Sequence, residues 1–257
     1  MKPSKRSTTK TATIEGRNAV IEALKADLPL QQVLIARGTK QDRSLDLIRT
    51  LATEHAVPNR EVARAELDEL SERGAHQGVI AQMAPFPFAD LDEVLATVAD
   101  AADALIILLD HISDPGNLGA LVRSAEVVGA ACVIIPANRS VGVTPAAWKA
   151  AAGALAHLPL VQVTNVAQTI ERLQAAGFWV AGASEHAQQT AWEAPLRGKI
   201  VLVLGSEGEG LARLTQERCD FLVKLPQVGK VGSLNVAQAG TVLAYEWLRQ
   251  TSALDPV

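Results

Sequence analysis

The sequence predicts an α/β protein in which a parallel sheet sandwiched by helices follows a smaller α/β domain. From residue 90 to residue 257, short β-rich runs that are apolar on both faces alternate with helical patterns, as expected for buried parallel strands. A shorter alternation of helices and strands occupies residues 14–84. Residues 85–89 read Pro-Phe-Pro-Phe-Ala. Because proline favours extended geometry before it and lacks an N–H donor, they are predicted to be a linker.

The smaller domain is predicted to contain helices at residues 16–26, 45–55 and 65–72 and strands at residues 32–36 and 79–83. Helices and strands that alternate in this way are typical of a compact α/β unit with its own core. The sequence therefore predicts that residues 14–84 fold as a separate domain.

Six strands and a long final helix are predicted in the larger domain. The strands are residues 104–109, 131–135, 160–163, 178–181, 200–204 and 221–225. The final helix, near residues 234–249, carries on one face Val236, Ala239, Gly240, Leu243 and Trp247. Periodicity alone predicts a doubly wound α/β domain, because threaded topologies are too rare to infer from such a pattern.

Composition excludes several classes of protein. With 257 residues, 48% of them hydrophobic, the chain can bury a sizeable core in one or two domains. No run approaches the roughly 18 apolar residues that span a bilayer, and no apolar segment follows the first basic residues. We therefore expect a cytoplasmic protein without a membrane partner. Cys132 and Cys219 lack CxxC spacing and a nearby histidine cluster, so neither a disulfide nor a metal site is expected.

The net charge of −4 is unfavourable for binding nucleic acid, because phosphate contacts normally dominate affinity. Any RNA-binding surface must therefore be a local patch. The clearest patch in the sequence lies in residues 1–13 and consists of Lys2, Lys5, Arg6 and Lys10. This segment is predicted to be either a disordered basic tail or an arm that contacts RNA. An aromatic content of 4% argues against a platform for stacking many bases.

Three segments each lead from an apolar strand through a turn or a glycine-rich loop into a helix. The first runs from Asp114 through Asn117, which is predicted to be the helix N-cap. The second is the Gly-Ser-Glu-Gly-Glu-Gly sequence of residues 205–210, and the third comprises Leu225-Pro226 and residues 232–237. Because such loops expose backbone N–H groups, they are expected to form one ligand site built mainly of backbone.

Taken alone, the glycine-rich loop could belong to a dinucleotide-binding protein or be a purely structural turn. Its spacing is not G-x-G-x-x-G, it lies near the end of the chain, and no acid follows at about twenty residues to bind a ribose. The other two segments favour a ligand site over a structural turn.

Together the three segments resemble the three motifs of the SpoU (TrmH-like) family of S-adenosylmethionine-dependent RNA 2'-O-methyltransferases, which belongs to the SPOUT class. The resemblance implies a deep trefoil knot in the larger domain, S-adenosylmethionine as the cofactor and RNA as the partner. It also implies a homodimer, because members of the family complete the RNA site across subunits.

The resemblance also implies roles for eight residues. Those implied to bind the cofactor are Gly205, Leu225, Ser233 and Leu234. Those implied to act in catalysis are Arg123, Asn117, Glu207 and Asn235. An isolated arginine on such a helix would usually be a surface charge, but the Asn-x-Gly-x-x-x-Arg spacing matches the catalytic arginine of the family. His111 and His157 lie in sequences common in the family and are interpreted as core or surface residues.

The family proposal makes the arginine a general base. A guanidinium, however, stays protonated under ordinary conditions. We therefore favour a role in which Arg123 binds the phosphate beside the target ribose through two hydrogen bonds and stabilises alkoxide character.

The N-terminal part of the chain also resembles a part of this family. Residues 15–20, Glu-Gly-Arg-Asn-Ala-Val, and residues 76–81, His-Gln-Gly-Val-Ile-Ala, resemble a small RNA-binding domain similar to ribosomal proteins L30e and L7Ae. That domain occurs in the RlmB-type branch, which methylates a guanosine in 23S ribosomal RNA. The resemblance therefore favours ribosomal RNA as the substrate. The alternatives are a transfer-RNA 2'-O-methyltransferase of the same fold and a non-catalytic RNA-binding or ribosome-assembly factor.

Overall fold

The computed structural model describes residues 12–71, 74–138, 140–230 and 232–251. The chain folds into two compact units that divide between Phe86 and Pro87. Each unit has its own sheet and its own set of buried apolar residues. None of the helices in these ranges is long and apolar enough to cross a membrane.

The first unit has a four-stranded mixed sheet. Its elements are β1 (Thr13–Glu15), α1 (Arg17–Lys25), β2 (Leu30–Ala36), α2 (Arg43–Glu54), β3 (Asn59–Val62), α3 (Arg64–Leu70) and β4 (Val79–Met83). The strand order is β1-β4-β2-β3. Both β1 and β2 run antiparallel to β4, whereas β3 runs parallel to β2. Every helix and strand predicted for this domain forms, and the ends differ from the prediction by a few residues.

Two strands of this sheet were not predicted. Three of the four residues of β3 are exposed, so its sequence lacks the apolar alternation that marks a strand. The other, β1, has three residues and begins at Thr13, which the sequence assigned to the N-terminal tail. The basic residues of that tail, the last of which is Lys10, lie outside the described residues.

The second unit alternates strands and helices throughout. It begins with α4 (Leu91–Thr97), β5 (Ala104–Asp110), α5 (Pro115–Val127), β6 (Cys132–Pro136) and α6 (Pro145–Ala151). A short 3₁₀ helix (Ala154–Ala156), β7 (Leu160–Val163), α7 (Val166–Ala175) and β8 (Trp179–Ala183) follow. The unit ends with β9 (Lys199–Gly205), α8 (Arg213–Arg218), β10 (Phe221–Val223) and α9 (Val236–Thr251).

The sheet of the second unit has six parallel strands in the order β10-β8-β9-β5-β6-β7. The predicted parallel sheet is therefore confirmed. From β5 the chain builds β6 and β7 on one side, then crosses to build β8, β9 and β10 on the other side. The connection that follows β5 and the connection that follows β9 therefore lead to opposite sides of the sheet. In open parallel sheets, ligands bind outside the carboxyl ends of strands at such a switch point.

The prediction that Asn117 caps the first motif helix is wrong. The N-cap of α5 is Asp114, whose side chain accepts a hydrogen bond from the backbone N–H of Asn117 at 2.8 Å. Proline suits the first helical position, because its fixed φ is helical and no partner is needed for an N–H there. Pro115 therefore starts α5, and Asn117 lies in the first turn, where its side-chain amide is available for other contacts.

A close contact between α5 and α6 explains the glycine in the first motif. A Cβ atom at Gly119 would lie 2.3 Å from the carbonyl oxygen of Ala147 and 2.9 Å from the backbone nitrogen of Ala151. Both atoms belong to the backbone of α6, so a rotamer change cannot relieve the clash. The glycine therefore permits helix packing, which is a structural requirement and not a chemical one.

We expect Gly119→Ala to lower the free energy of unfolding by about 1–3 kcal/mol, because overpacking against backbone outweighs the higher helix propensity of alanine. Denaturant unfolding monitored by circular dichroism measures this. Gly142→Ala is the matched control, since a Cβ there meets nothing within 4 Å and its φ is not positive. Equal stability of the two variants would contradict the packing explanation.

Candidate active site

A cavity of about 490 Å³ lies at the carboxyl ends of β8, β9 and β10. Its walls are formed mainly by residues 183–186, 204–211, 223–225 and 233–236. These segments come together because the three strands are parallel and end at the same edge of the sheet. The cavity therefore occupies the place that a parallel sheet provides for a ligand.

The glycine-rich loop folds back on itself directly after β9. Ser206 and Gly210 exchange two backbone hydrogen bonds of 2.9 and 3.0 Å. A Cβ atom at Gly205 would lie 2.2 Å from the carbonyl carbon of Gly210, so only glycine allows this return. The loop therefore presents residues 207–209 as a short tip over the cavity.

A hydrogen-bond network joins the three predicted motifs. The Oε1 atom of Glu207 accepts from the side-chain amides of Asn117 at 2.7 Å and Asn235 at 2.8 Å. The amide of Asn235 also donates to Oδ1 of Asn117 at 2.9 Å. Three residues that are up to 118 positions apart in the chain thus form a closed triangle. Because one acceptor is a carboxylate, two of these bonds are of the stronger, charge-assisted kind.

Asn235 has a second structural task. Its Oδ1 atom accepts hydrogen bonds from the backbone N–H groups of Ala237 at 2.9 Å and Gln238 at 3.3 Å, so it caps α9. The cap fixes the side chain, and its amide group is then directed to the other two members of the network.

The four residues predicted to bind the cofactor all line the cavity. They are Gly205, Leu225, Ser233 and Leu234. Leu234 keeps 48% of its surface exposed, which is high for a leucine that only fills a core. The lining combines exposed backbone, apolar side chains and a hydroxyl group, a combination typical of small-molecule sites.

Arg123 lies on the exposed face of α5 and does not line the cavity. The apolar face of the same helix is buried and consists of Leu118, Leu121, Val122 and Ala125, followed by the C-cap residue Val128. The guanidinium of Arg123 has no hydrogen bond or ion pair with any residue that the structure describes. Its five N–H donors are therefore available to a partner.

Sequence reasoning missed the segment that follows β8. Ser184, Glu185 and His186 line the cavity together with the second and third motifs. No motif marks them, but their place at the end of a predicted parallel strand was a usable signal, because neighbouring strand ends of such a sheet form the binding crevice.

Sequence reasoning also missed the buried carboxylate of Asp110, the last residue of β5. Its side chain is fully buried, and its Oδ2 atom accepts a hydrogen bond from the backbone N–H of Ala212 at 2.8 Å. The other oxygen contacts Nδ1 of His111, whose φ of 63° is in the left-handed region. Asp110 thus fastens the start of the first motif to the segment that leaves the glycine-rich loop. The histidine is half-exposed, and His157 is exposed.

Both cysteines lie outside this site. Burial raises the pKa of the Cys132 thiol to about 12. Burial, with the nearby carboxylates of Asp220 and Asp110, raises the pKa of Cys219 to about 12. A nucleophilic thiolate at neutral pH is therefore disfavoured at either position. In the described ranges, no group of three or more His, Cys, Asp or Glu side chains is arranged to hold a metal ion.

The fold and the loop site define a class, namely α/β enzymes that bind a ligand on backbone loops at the carboxyl edge of a parallel sheet. The chain belongs to the SpoU rRNA methylase family, whose profile matches residues 104–245. A second profile, described as RNA 2'-O ribose methyltransferase substrate binding, matches residues 13–89. The chain is therefore an RNA methyltransferase by family.

Individual relatives cover most of the chain. It is 42% identical over 224 residues to the 23S rRNA (guanosine-2'-O-)-methyltransferase RlmB of Pseudomonas putida, covering 86% of this chain and 89% of that protein. It is 39% identical over 236 residues to the putative TrmH family tRNA/rRNA methyltransferase YacO of Bacillus subtilis, covering 91% and 94%. The SpoU methyltransferase AviRb of Streptomyces viridochromogenes, solved with AdoMet, superposes with a TM-score of 0.67 at 25% identity, covering 97% and 94%.

We expect Glu207→Ala to loosen the three-motif network, because it removes an acceptor shared by two side chains. Loss of two exposed hydrogen bonds is worth about 1 kcal/mol, so amide exchange in residues 205–211 and 233–237 should accelerate about fivefold. Hydrogen–deuterium exchange with mass spectrometry measures this. Glu209→Ala, in the same loop and without a hydrogen bond among the described residues, is the control. Identical exchange in both variants would refute the role of the network.

Proposed function

We propose that this chain uses S-adenosylmethionine to methylate the ribose 2'-oxygen of a guanosine in large-subunit (23S) ribosomal RNA. The observation that carries the proposal is the triangle of Asn117, Glu207 and Asn235, which ties the first motif to the two loops that line the cavity. The relative at 42% identity is named as a methyltransferase of this kind, which supports the choice of RNA and nucleotide.

The cavity fits S-adenosylmethionine. Its volume of about 490 Å³ lies within the range of small-molecule sites. Backbone groups of the loop after Gly205 suit the adenine and the methionine, and Leu225 and Leu234 supply apolar walls. Ser233 adds a hydroxyl group. When bound, this cofactor supplies a methyl group that is already activated by its attachment to a sulfonium sulfur.

The remaining task of the protein is to align and activate the ribose oxygen. The exposed, unpaired guanidinium of Arg123 binds the phosphate beside the target ribose through two parallel hydrogen bonds. The same positive charge stabilises negative charge that develops on the 2'-oxygen, and the hydroxyl proton leaves to water or to phosphate. Asn117, Glu207 and Asn235 keep the three motifs together, which would hold the ribose oxygen in a fixed place beside the bound cofactor.

The two units divide these tasks. Residues 14–84 select the RNA and resemble the L30e/L7Ae fold, residues 85–89 link the units, and residues 90–257 perform the reaction. The match of residues 13–89 to a substrate-binding profile supports this division. The reaction takes place in the cytoplasm, where ribosomal RNA is made and modified in bacteria, and the mechanism requires no metal.

The larger unit is proposed to contain a deep trefoil knot. Two observations support a threaded path for the last part of the chain. The strand β9 inserts between β8 and β5, and the N-terminus of α9 is bound to Asn117 of the first motif. The final helix therefore returns to the segment that leaves β5.

We propose a homodimer that buries the exposed face shared by α5 and α9. Val127, Val242 and Tyr245 leave 57%, 37% and 48% of their surfaces exposed. These two helices pack together, and Ser124 and Thr241 share a hydrogen bond of 2.7 Å between them. Sedimentation at micromolar concentration should give a dimer. Full activity in a purely monomeric sample would contradict the proposal.

Mapping ribose methylation in RNA from cells that lack the gene tests the substrate. Loss of one 2'-O-methylguanosine in 23S ribosomal RNA, restored by the cloned gene, is the expected result. Loss of a transfer-RNA mark instead would favour the alternative that the name of the Bacillus subtilis relative allows. Cofactor binding without loss of any mark would indicate a non-catalytic RNA-binding factor.

We expect Arg123→Lys to lower turnover about a hundredfold, because lysine keeps the charge but loses the planar fork, and comparable oxyanion donors are worth roughly 3 kcal/mol. The affinity for S-adenosylmethionine, measured by calorimetry, should stay within about twofold. Arg172→Lys, an exposed arginine paired with Asp92 in the same unit, is the control. Near-normal turnover of Arg123→Lys at neutral pH would refute the two-bond phosphate contact.

A further inference from the structure

Segments that adjoin all four strands lie together at one edge of the sheet in the first unit. Because β1, β2 and β3 run in one direction and β4 runs in the other, the carboxyl ends of the first three lie beside the amino end of β4. The segments at this edge are residues 16–18, 37–43, 63–64 and 76–78. We call these residues the basic edge.

The basic edge concentrates positive charge within an otherwise acidic unit. Its cations are Arg17, Arg37, Lys40, Arg43 and Arg64, and its acid is Asp42. The rest of the described part of the unit has as cations Lys25, Arg49 and Arg60. The acids there are Glu15, Glu22, Asp27, Asp46, Glu54, Glu61, Glu66, Asp68 and Glu69. Charge in this unit is therefore sharply segregated.

Ion pairing divides the cations in the same way. Away from the edge, Arg49 binds Glu61 at 2.8 Å, Arg60 binds Glu66 at 2.7 Å and Lys25 lies 3.4 Å from Glu22. The cations that make no ion pair with a described residue all belong to the basic edge, and all are exposed: Arg37, Lys40, Arg43 and Arg64. The acids of the unit therefore leave these charges free for an external anion.

The edge is also held in a fixed shape. The guanidinium of Arg17 pairs with Asp42 and donates to the carbonyl oxygens of Lys40 at 3.2 Å and Gln77 at 3.4 Å. The backbone N–H of Arg37 donates to the carbonyl of Val62 at 2.8 Å. Three of the four segments are thus tied to one another or to the sheet. A charged surface that is already ordered loses less entropy when it binds.

We propose that the basic edge is the surface on which the first unit binds the phosphate backbone of the RNA substrate. This inference rests on the proposed function. Free guanidinium and ammonium groups suit phosphate oxygens. In the described part of this unit the large apolar side chain with notable exposure is Leu47, on α2 and outside the edge, so an apolar protein interface is disfavoured there. The edge also resolves how a chain of net charge −4 can bind RNA.

A charge-matched pair of triple variants of the full chain tests the inference. The edge variant is Arg37→Gln, Lys40→Gln and Arg64→Gln, and the control variant is Lys25→Gln, Arg49→Gln and Arg60→Gln. Arg43 is left in place because it lies in the first turn of α2. Both variants change the net charge equally, and the control leaves more acids unpaired, so a general charge effect would weaken both.

Binding of unmethylated 23S ribosomal RNA transcribed in vitro is measured by fluorescence anisotropy between 50 and 300 mM KCl. The edge variant should bind roughly ten- to a hundredfold more weakly near 100 mM salt, and its plot of log affinity against log salt should be shallower by about 2. The control variant should match the wild type. Thermal midpoints and S-adenosylmethionine affinity should be equal in all three proteins, which separates binding from folding.

The outcomes are distinguishable. Equal RNA affinity and equal salt dependence for the edge and control variants, with a wild type that methylates the RNA, would overturn the basic edge and leave the proposed function intact. A wild type that neither binds nor methylates this RNA would overturn the proposed function itself. A weakened edge variant with an unchanged salt slope would also overturn the inference, because phosphate contacts would then not be the cause.

Discussion

The pairing of β5 with β9 is the constraint on which the second unit depends. Its register aligns Ala104 with Lys199 at one end and Asp110 with Gly205 at the other. The first motif and the glycine-rich loop therefore leave the sheet side by side, although about ninety residues separate them. A slip of one residue would turn every side chain of one strand to the opposite face. The fully buried β5 makes such a slip costly, so the strand core sets the geometry of the loops.

The charged side chains are distributed differently in the two units. Around the cavity, Glu207 lies within hydrogen-bond distance of neutral amides, and the charged residues of the described lining are Lys224, Glu185, Glu207 and Glu209. In the first unit, cations are concentrated at one end of a sheet whose remaining surface is acidic. An acidic background limits binding of RNA to other surfaces, because like charges repel phosphate. Segregation of charge can therefore supply selectivity as well as affinity.

Sequence pattern predicted the parts of the fold that are buried. β5 and β9 are apolar on both faces, and that property is visible in a list of residues. The polar strand β3 could not be predicted from its sequence, because its pairing with β2 places it in the sheet and its own side chains are mostly exposed. Asp114 and Asn117 are both good capping residues, and Pro115 at the first helical position makes Asp114 the N-cap.

The carboxylate of Asp110 could not be assigned from the sequence, because its partner is a backbone N–H about one hundred residues later. The roles of the eight site residues remain predictions from resemblance.

The contact between Asp110 and the N–H of Ala212 has a consequence for ligand exchange. Removing that N–H from a buried carboxylate would leave both groups unsatisfied, which costs several times the thermal energy. The far end of the glycine-rich loop is thus anchored, and the mutual bonds of Ser206 and Gly210 close its base. Residues 207–209 lie between these two fixed points, and Glu207 is one of them. Opening the tip therefore breaks the bonds to Asn117 and Asn235. The first and third motifs would stay joined through the bond between Asn235 and Asn117, so displacement of the tip would detach only the glycine-rich loop from the network.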